Sequence, residues 1–217
     1  TNGVDVTDIV GDTTEAGVRS GMELFPMAYG QFGFFPKILI APGFSQLQAV
    51  QSAFETIAAR IRAIYLVDSL GGANPANGGA APAVGNTEAA FEATPTVQDV
   101  ITKRGDPAEA FGIASKRGVL LYPWLLFTDE GVDPTGAQIF NPTDGPYSAW
   151  MAGVIAANDL NYGYWFSPSN TVINGPLGPD FSIYMSAFDA SSDTNNLNAA
   201  GIVTVFNSFG TGLRIWG

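Results

Sequence analysis

Two carboxylates stand where an α/β protein does its chemistry. Asp68 ends the apolar run 63–67, and Asp159 ends a helical pattern over 144–158. As an acid and a base they could cleave a glycosidic bond if the fold brought them together. The simpler reading is that each caps the turn that follows it. Gly43-Phe44-Ser45 lies between a strand and a helix, as a nucleophile elbow does. However, Leu47 stands where that motif needs its second glycine, and the chain has no histidine to act as base. Ser45 reads better as a helix cap. The run Asp129-Glu130-Gly131-Val132-Asp133 lacks the alternating oxygen ligands and closing glutamate of a calcium loop, which leaves a polar hairpin or loop. With neither cysteine nor histidine, disulfides, thiol catalysis, Cys-ligated zinc, a Ser-His-Asp triad and His-ligated metal are excluded. Neither the dinucleotide glycine pattern nor a Gly-Lys-Ser/Thr ending occurs. No cofactor is expected.

The elements that would position these groups centre on residues 36–68. That stretch reads as strand 38–41, a break at Pro42-Gly43, helix 46–61 and strand 63–67. Leu47, Val50, Phe54, Ile57 and Ile61 recur three and four residues apart and form one apolar stripe. Ser45 followed by Gln48 fits a capping box. Both strands are continuously apolar, which suits parallel strands covered on both faces and joined by a right-handed crossover. The expected fold class is α/β, a mostly parallel sheet flanked by helices.

Residues 1–33 read as a polar lead-in with a helix near 13–24, whose Phe25, Tyr29, Phe32, Phe34 and Phe35 pad the core edge. The uncharged Gly, Ala, Asn and Pro stretch 71–85 follows a strand end. It is read either as an active-site lid or as an exposed loop at the rim of an assembly. Thr94-Pro95 predicts the start of a helix over 96–102, and Asp106-Pro107 a second to 116. The apolar run 119–127 is broken at Pro123, which implies an edge, a bulge or a change of direction. Beyond it we expect a short strand 138–141 and a helix from 144 or 145 to 158. On that helix Ala149, Ala152, Gly153, Ala156 and Ala157 allow close approach, and Trp150, Val154 and Ile155 bury on another side. A strand near 181–184, a helix 194–200 stopped by Gly201, and strands 202–206 and 213–216 complete the pattern.

Composition sets the outer limits. The 217 residues are 46% hydrophobic but only 13% charged, about half the usual charged share of ~25%. Such a neutral surface suits burial against neighbours, and a secreted or acid-adapted protein shares it. The net charge of −11 argues against nucleic acid or an anionic membrane as partner, and no apolar run approaches the length of a membrane span. Between Gly118 and Leu213 there is no Lys or Arg, although that stretch carries Asp129, Glu130, Asp133, Asp144, Asp159, Asp180, Asp189 and Asp193. It is either a solvated acidic face or one that meets a basic neighbour. A start at Thr1 and a last residue directly on a strand pattern suggest a piece of a longer protein.

With these residues in view, the chain resembles the contractile tail sheath family of bacteriophages and related bacteriocin-like particles. The stretches that carry the resemblance are Pro36-Lys-Ile-Leu-Ile-Ala-Pro-Gly-Phe-Ser45, Ala63-Ile-Tyr-Leu-Val-Asp68, Leu121-Tyr-Pro-Trp124, Ala152-Gly-Val-Ile-Ala-Ala-Asn-Asp159, Gly163-Tyr-Trp-Phe-Ser-Pro-Ser-Asn170, Leu197-Asn-Ala-Ala-Gly-Ile202 and Gly212-Leu-Arg-Ile-Trp-Gly217. The resemblance implies a subtilisin-like sheath domain without a catalytic triad. It implies a core over 36–217, with 1–35 as a lead-in or edge segment of a preceding domain, and terminal arms and a C-terminal domain beyond this chain. Asn158 stands near a position where the family usually has arginine, so a neighbour contact made by that arginine is lost or replaced. The implied function is mechanical: a structural subunit that polymerises helically around a tail tube and contracts to drive it through the host envelope. The implied partners are other sheath subunits, the tube protein and the baseplate, in a virion tail assembled in the host cytoplasm. The isolated chain would be largely monomeric, and Asp129, Glu130 and Asp133 become candidate assembly contacts.

Overall fold

The computed structural model describes residues 4–69, 96–106, 111–132, 135, 138–208 and 210–217. The lead-in comprises α1 (Val6–Val10), a 3-10 helix (Gly21–Met27) and α2 (Ala28–Phe32). The helix expected near 13–24 is absent. Thr13 and Arg19 pair across a tight turn at Gly17, so that stretch closes on itself and only its end coils. Phe25 and Phe35 pack on the core as expected, whereas Tyr29, Phe32 and Phe34 point outward.

The central unit follows as β1 (Ile38–Leu39), α3 (Gln48–Ile61) and β2 (Ile64–Asp68), with β1 and β2 parallel. Beyond them lie α4 (Val97–Gly105), β3 (Gly118–Leu121), β4 (Leu125–Val132), β5 (Gln138–Gly145), α5 (Tyr147–Asn161), β6 (Gly178–Pro179), α6 (Asp193–Ala199), β7 (Ile202–Ser208) and β8 (Gly212–Trp216). Among the described residues these strands form one sheet ordered β1-β2-β3-β7-β8 and a smaller one ordered β5-β4-β6. The first four strands of the larger sheet run parallel, and β8 returns antiparallel beside β7. This is the mostly parallel α/β sheet that the apolar runs predict.

The continuous apolarity of β2 has its cause in two covered faces. Tyr65 and Val67 join the core under α3, while Leu66 joins a second core with Leu121, Tyr147 and Met151 under α5. On α3 the predicted stripe is buried, with Val50, Phe54, Ile57 and Ile61 at 3% exposure or less. Each such side chain contributes about 1.5–3 kcal/mol of transfer free energy. Gly118 is fixed by space: a Cβ there would lie 2.5 Å from both the Tyr65 ring and Ile113.

Other boundaries moved for identifiable reasons. The cap of α4 is Thr96, whose hydroxyl accepts from the Asp99 N–H while the Asp99 carboxylate accepts from the Thr96 N–H. Of the helix expected from 107 to 116, residues 107–110 lie outside the described residues and 111–117 are not helical, and Arg104 reaches across to donate to the Ile113 carbonyl. Pro123 marks a change of direction, since the chain leaves the larger sheet after Leu121 and enters the smaller one at Leu125. Helix α5 starts at Tyr147 because Asp144 and Gly145 extend β5 opposite Leu126 and Leu125. Trp150, Val154 and Ile155 are half-buried against the second core. No strand forms at 181–184, where the Tyr184 N–H bonds the Asp193 carboxylate instead. The outer edge of β8 is occupied by 170–173, through Asn170 N–H to Ile215 O, Ile215 N–H to Thr171 O and Ile173 N–H to Leu213 O.

Candidate functional site

Among the described residues, the buried carboxyl group lies at the carboxyl end of β2. Asp68 is fully buried there, between the loop that enters α3 and the first turn of α5. Its carboxylate accepts from the Ser148 N–H at 2.7 Å, the Ser148 hydroxyl at 2.6 Å and the Ser45 hydroxyl at 2.9 Å. The Asp68 N–H in turn donates to Ser45 Oγ at 2.9 Å. Helix α5 has Pro146 at its N-cap and no side-chain cap of its own. Asp68 therefore satisfies one of its orphan N–H groups from 80 residues away. Burial pushes the Asp68 carboxyl above the ordinary carboxylate value, and the bonds from Ser148, Ser45 and the Tyr147 N–H partly offset that.

This geometry overturns the reading of Ser45 as the cap of α3. The N-cap of α3 is Leu47, without a side-chain bond, because the Ser45 hydroxyl is committed to Asp68. It also overturns the carboxylate pair. Ser148 touches Asp68 near the start of α5, and Asp159 lies eleven residues further along that helix, a separation of about 16 Å. Asp159 is exposed and Asp68 is not. Ser148 was not singled out from the sequence: it carries no local motif, and its partner is distant along the chain.

Of the acidic run, Asp129 and Glu130 lie on β4 opposite Asn141 and Phe140 of β5, so this part of the expected hairpin or loop is antiparallel strand. Asp133 and the glycine-rich stretch 71–85 lie outside the described residues. The small residues of α5 remain open: Ala149, Gly153 and Ala157, with Thr171 and Val172, line a groove of about 340 Å³. The aromatic run after α5 is exposed as well, with Tyr164 at 86% and Trp165 at 74%.

The buried joint lies in a sheet covered on both faces, and exposed aromatic groups mark the outer surface. Residues 17–217 match the family described as the phage tail sheath protein central domain. The chain belongs to that family. It is 32% identical to the tail sheath protein of Burkholderia phage BcepMu over 215 residues, covering 99% of this chain and 39% of that protein. It is 30% identical over 209 residues to a protein of Pseudomonas aeruginosa strain UCBPP-PA14 assigned as a prophage major tail sheath protein, covering 96% of this chain and 44% of the other. Among solved structures, the helical sheath of the anti-feeding prophage in its contracted state aligns with 95% of this chain and 44% of that one, at 20% identity and a TM-score of 0.49. The chain thus spans about two fifths of the length of the curated sheath relatives it matches.

The Asp68 junction ties β2 and the loop that enters α3 to the first turn of α5 by hydrogen bonds inside the core. Tyr147, beside the joint, adds a bond from its hydroxyl to the Thr204 carbonyl of β7 at 3.2 Å, and the Trp124 indole N–H donates to the Ser69 carbonyl at 3.0 Å.

Proposed function

We propose that this chain is the lattice-forming domain of a contractile tail sheath. Copies of the longer protein surround a tail tube on a baseplate, pack helically, and shorten to drive the tube through a cell envelope. The observation that carries this reading is the family match across residues 17–217. A helical tube needs contacts between unlike faces that do not close on a point group, and shortening requires two packings of subunits that themselves stay rigid. The doubly covered sheet and the Asp68 joint suit a body of that kind. Residues 36–217 act as the core and 1–35 as its edge segment. The particle belongs to the virion tail and is assembled in the host cytoplasm.

Asp129, Glu130 and Asp133 act as assembly contacts in this reading, with the positive charge supplied by a neighbour. Each exposed pair is worth about 0–1 kcal/mol, and repetition along a lattice makes the sum matter. The test is electron microscopy of the full-length protein beside this chain alone. Tubes are expected from the first and monomers from the second, and a full-length protein that never forms a sheath overturns the reading. Neutralising the three acids together should flatten the dependence of sheath length on ionic strength. An unchanged response returns them to the role of a solvated loop.

A further inference from the structure

Two exposed aromatic surfaces extend from elements packed on opposite faces of the central sheet. On the α3 side, the 3-10 helix of the lead-in lies against α3, held by Arg60 and Glu23 at 3.1 Å. Tyr29, Phe32 and Phe34 project from the segment that follows, each at least 60% exposed. The Tyr29 ring stacks on Phe35 at 5.3 Å, and the Lys37 ammonium sits 5.9 Å over the Phe35 ring. Lys37 also donates to the Ile61 carbonyl, next to the exposed Arg62. This surface is aromatic and cationic.

On the α5 side, Asp159 and Leu160 lead into Tyr162, Tyr164, Trp165 and Phe166, all exposed. Tyr162 stacks on Phe166 at 4.6 Å, and Tyr164 meets Trp165 edge-on at 5.3 Å. No Lys or Arg occurs from Gly118 to Leu213. This surface is aromatic, with the Asp159 carboxylate as its one charge, and Arg214 donates to the Asn170 carbonyl beyond it at 2.6 Å.

We infer that these two surfaces are the halves of one contact between copies of the chain, the 29–37 surface of one copy seating on the 159–166 surface of the next. The inference rests on the sheath reading and names the faces through which copies meet. Three observations carry it. The lead-in packs on the core under α3 and α5 on the second core, so the two surfaces extend from elements on opposite faces of the sheet. Like-with-like pairing is disfavoured, because two lead-in surfaces would oppose Lys37 and Arg62 to themselves and two 159–166 surfaces would oppose their Asp159 carboxylates. Unlike pairing sets cations against both a carboxylate and open aromatic faces, and both contacts are attractive. Rings already paired within each cluster lose little freedom on docking. A contact between unlike faces adds copies head to tail, as a helical lattice requires.

The chain has no cysteine, so introduced thiols report without background. In the full-length protein, Phe34→Cys and Tyr164→Cys are made singly and together, assembled, and treated with a short bismaleimide. The double variant should give a ladder of linked multimers on a denaturing gel, and each single variant should give none. Tubes that form normally without a ladder overturn the inference and leave the sheath reading standing. Dimers from a single variant overturn it in favour of a symmetric contact, and a cross-link within one chain assigns the surfaces to that chain's own packing. A parent protein that forms no tubes removes the sheath reading and this inference with it. Charge exchange is a second measure that leaves the rings intact. Arg62→Asp and Asp159→Arg should each weaken assembly about 5-fold per contact, and together they should restore it. A double variant no better than the singles counts against the contact.

Discussion

Helices α3 and α5 are nearly equal in length, at 14 and 15 residues, yet they satisfy their apolar surface differently. In α3 the apolar residues share one stripe, and Val50, Phe54, Ile57 and Ile61 disappear into the core. In α5 they are spread around the circumference. Tyr147 and Met151 are buried, while Ala149, Gly153, Ala156, Ala157 and Leu160 face outward. A helix that is apolar on most sides is normally enclosed on most sides. Among the described residues, the first helix buries its apolar stripe within the chain, and the second leaves apolar surface exposed.

The sharpest way to break this contrast is to truncate one residue on each helix. Phe54→Ala should cost about 3–5 kcal/mol in denaturant unfolding, since a ring that is 1% exposed leaves a cavity under α3. If it costs no more than a surface change, the α3 face is not the dominant core. The joint between the helices comes next. Asp68→Ala leaves the Ser45 and Ser148 hydroxyls and the Ser148 N–H without their shared acceptor, and should cost about 2–3 kcal/mol. A loss within measurement error would mean that water replaces the carboxylate.

A smaller effect should appear with pH. The Asp68 carboxyl is raised above 3.8 in the folded chain, so the folded state holds that proton more readily than the unfolded one. The stability linked to it is fully present below 3.8 and is lost as pH rises through the raised folded value. Asp5, Asp99 and Asp189 are held below 3.8 by hydrogen bonds and slope the opposite way. Comparing the parent with Asp68→Asn cancels those three. The stability of the parent relative to the variant should decline as pH rises from 3.8 through the raised folded value and level off above it, and a flat difference would show that Asp68 does not titrate there. The smallest effect belongs to α5: Leu160→Ala, at a site 86% exposed, should stay within about 0.5 kcal/mol of the parent. A loss comparable to that of Phe54→Ala would show that the outer side of α5 is packed within the chain after all.

The same contrast explains what could be read from the sequence. The α3 stripe and the apolar strands were legible because periodicity records burial in one continuous core. The hairpin of β7 and β8 and the stop at Gly201 were legible because turn chemistry is local. Asp68 was visible as an acid at a strand end, but its role was not, since Ser45 and Ser148 carry no mark of a partner 23 and 80 residues away. The same limit misplaced the caps. Ser45 has the residue type of a cap and a tertiary partner that takes its hydroxyl, and Asp144 looks like a helix start although β4 has claimed it.

The occupied flank of β8 has a consequence for any contact between copies of this chain. A bare strand edge invites another chain to add to the sheet in any register. Here one flank is filled by 170–173, and the opposite flank, β1, is two residues long between Pro36 and Pro42. Neither end of the larger sheet offers a template for amyloid-like growth. Raising the concentration of such a chain should therefore favour side-chain contacts that can form, slip and re-form, rather than backbone ladders that cannot be undone.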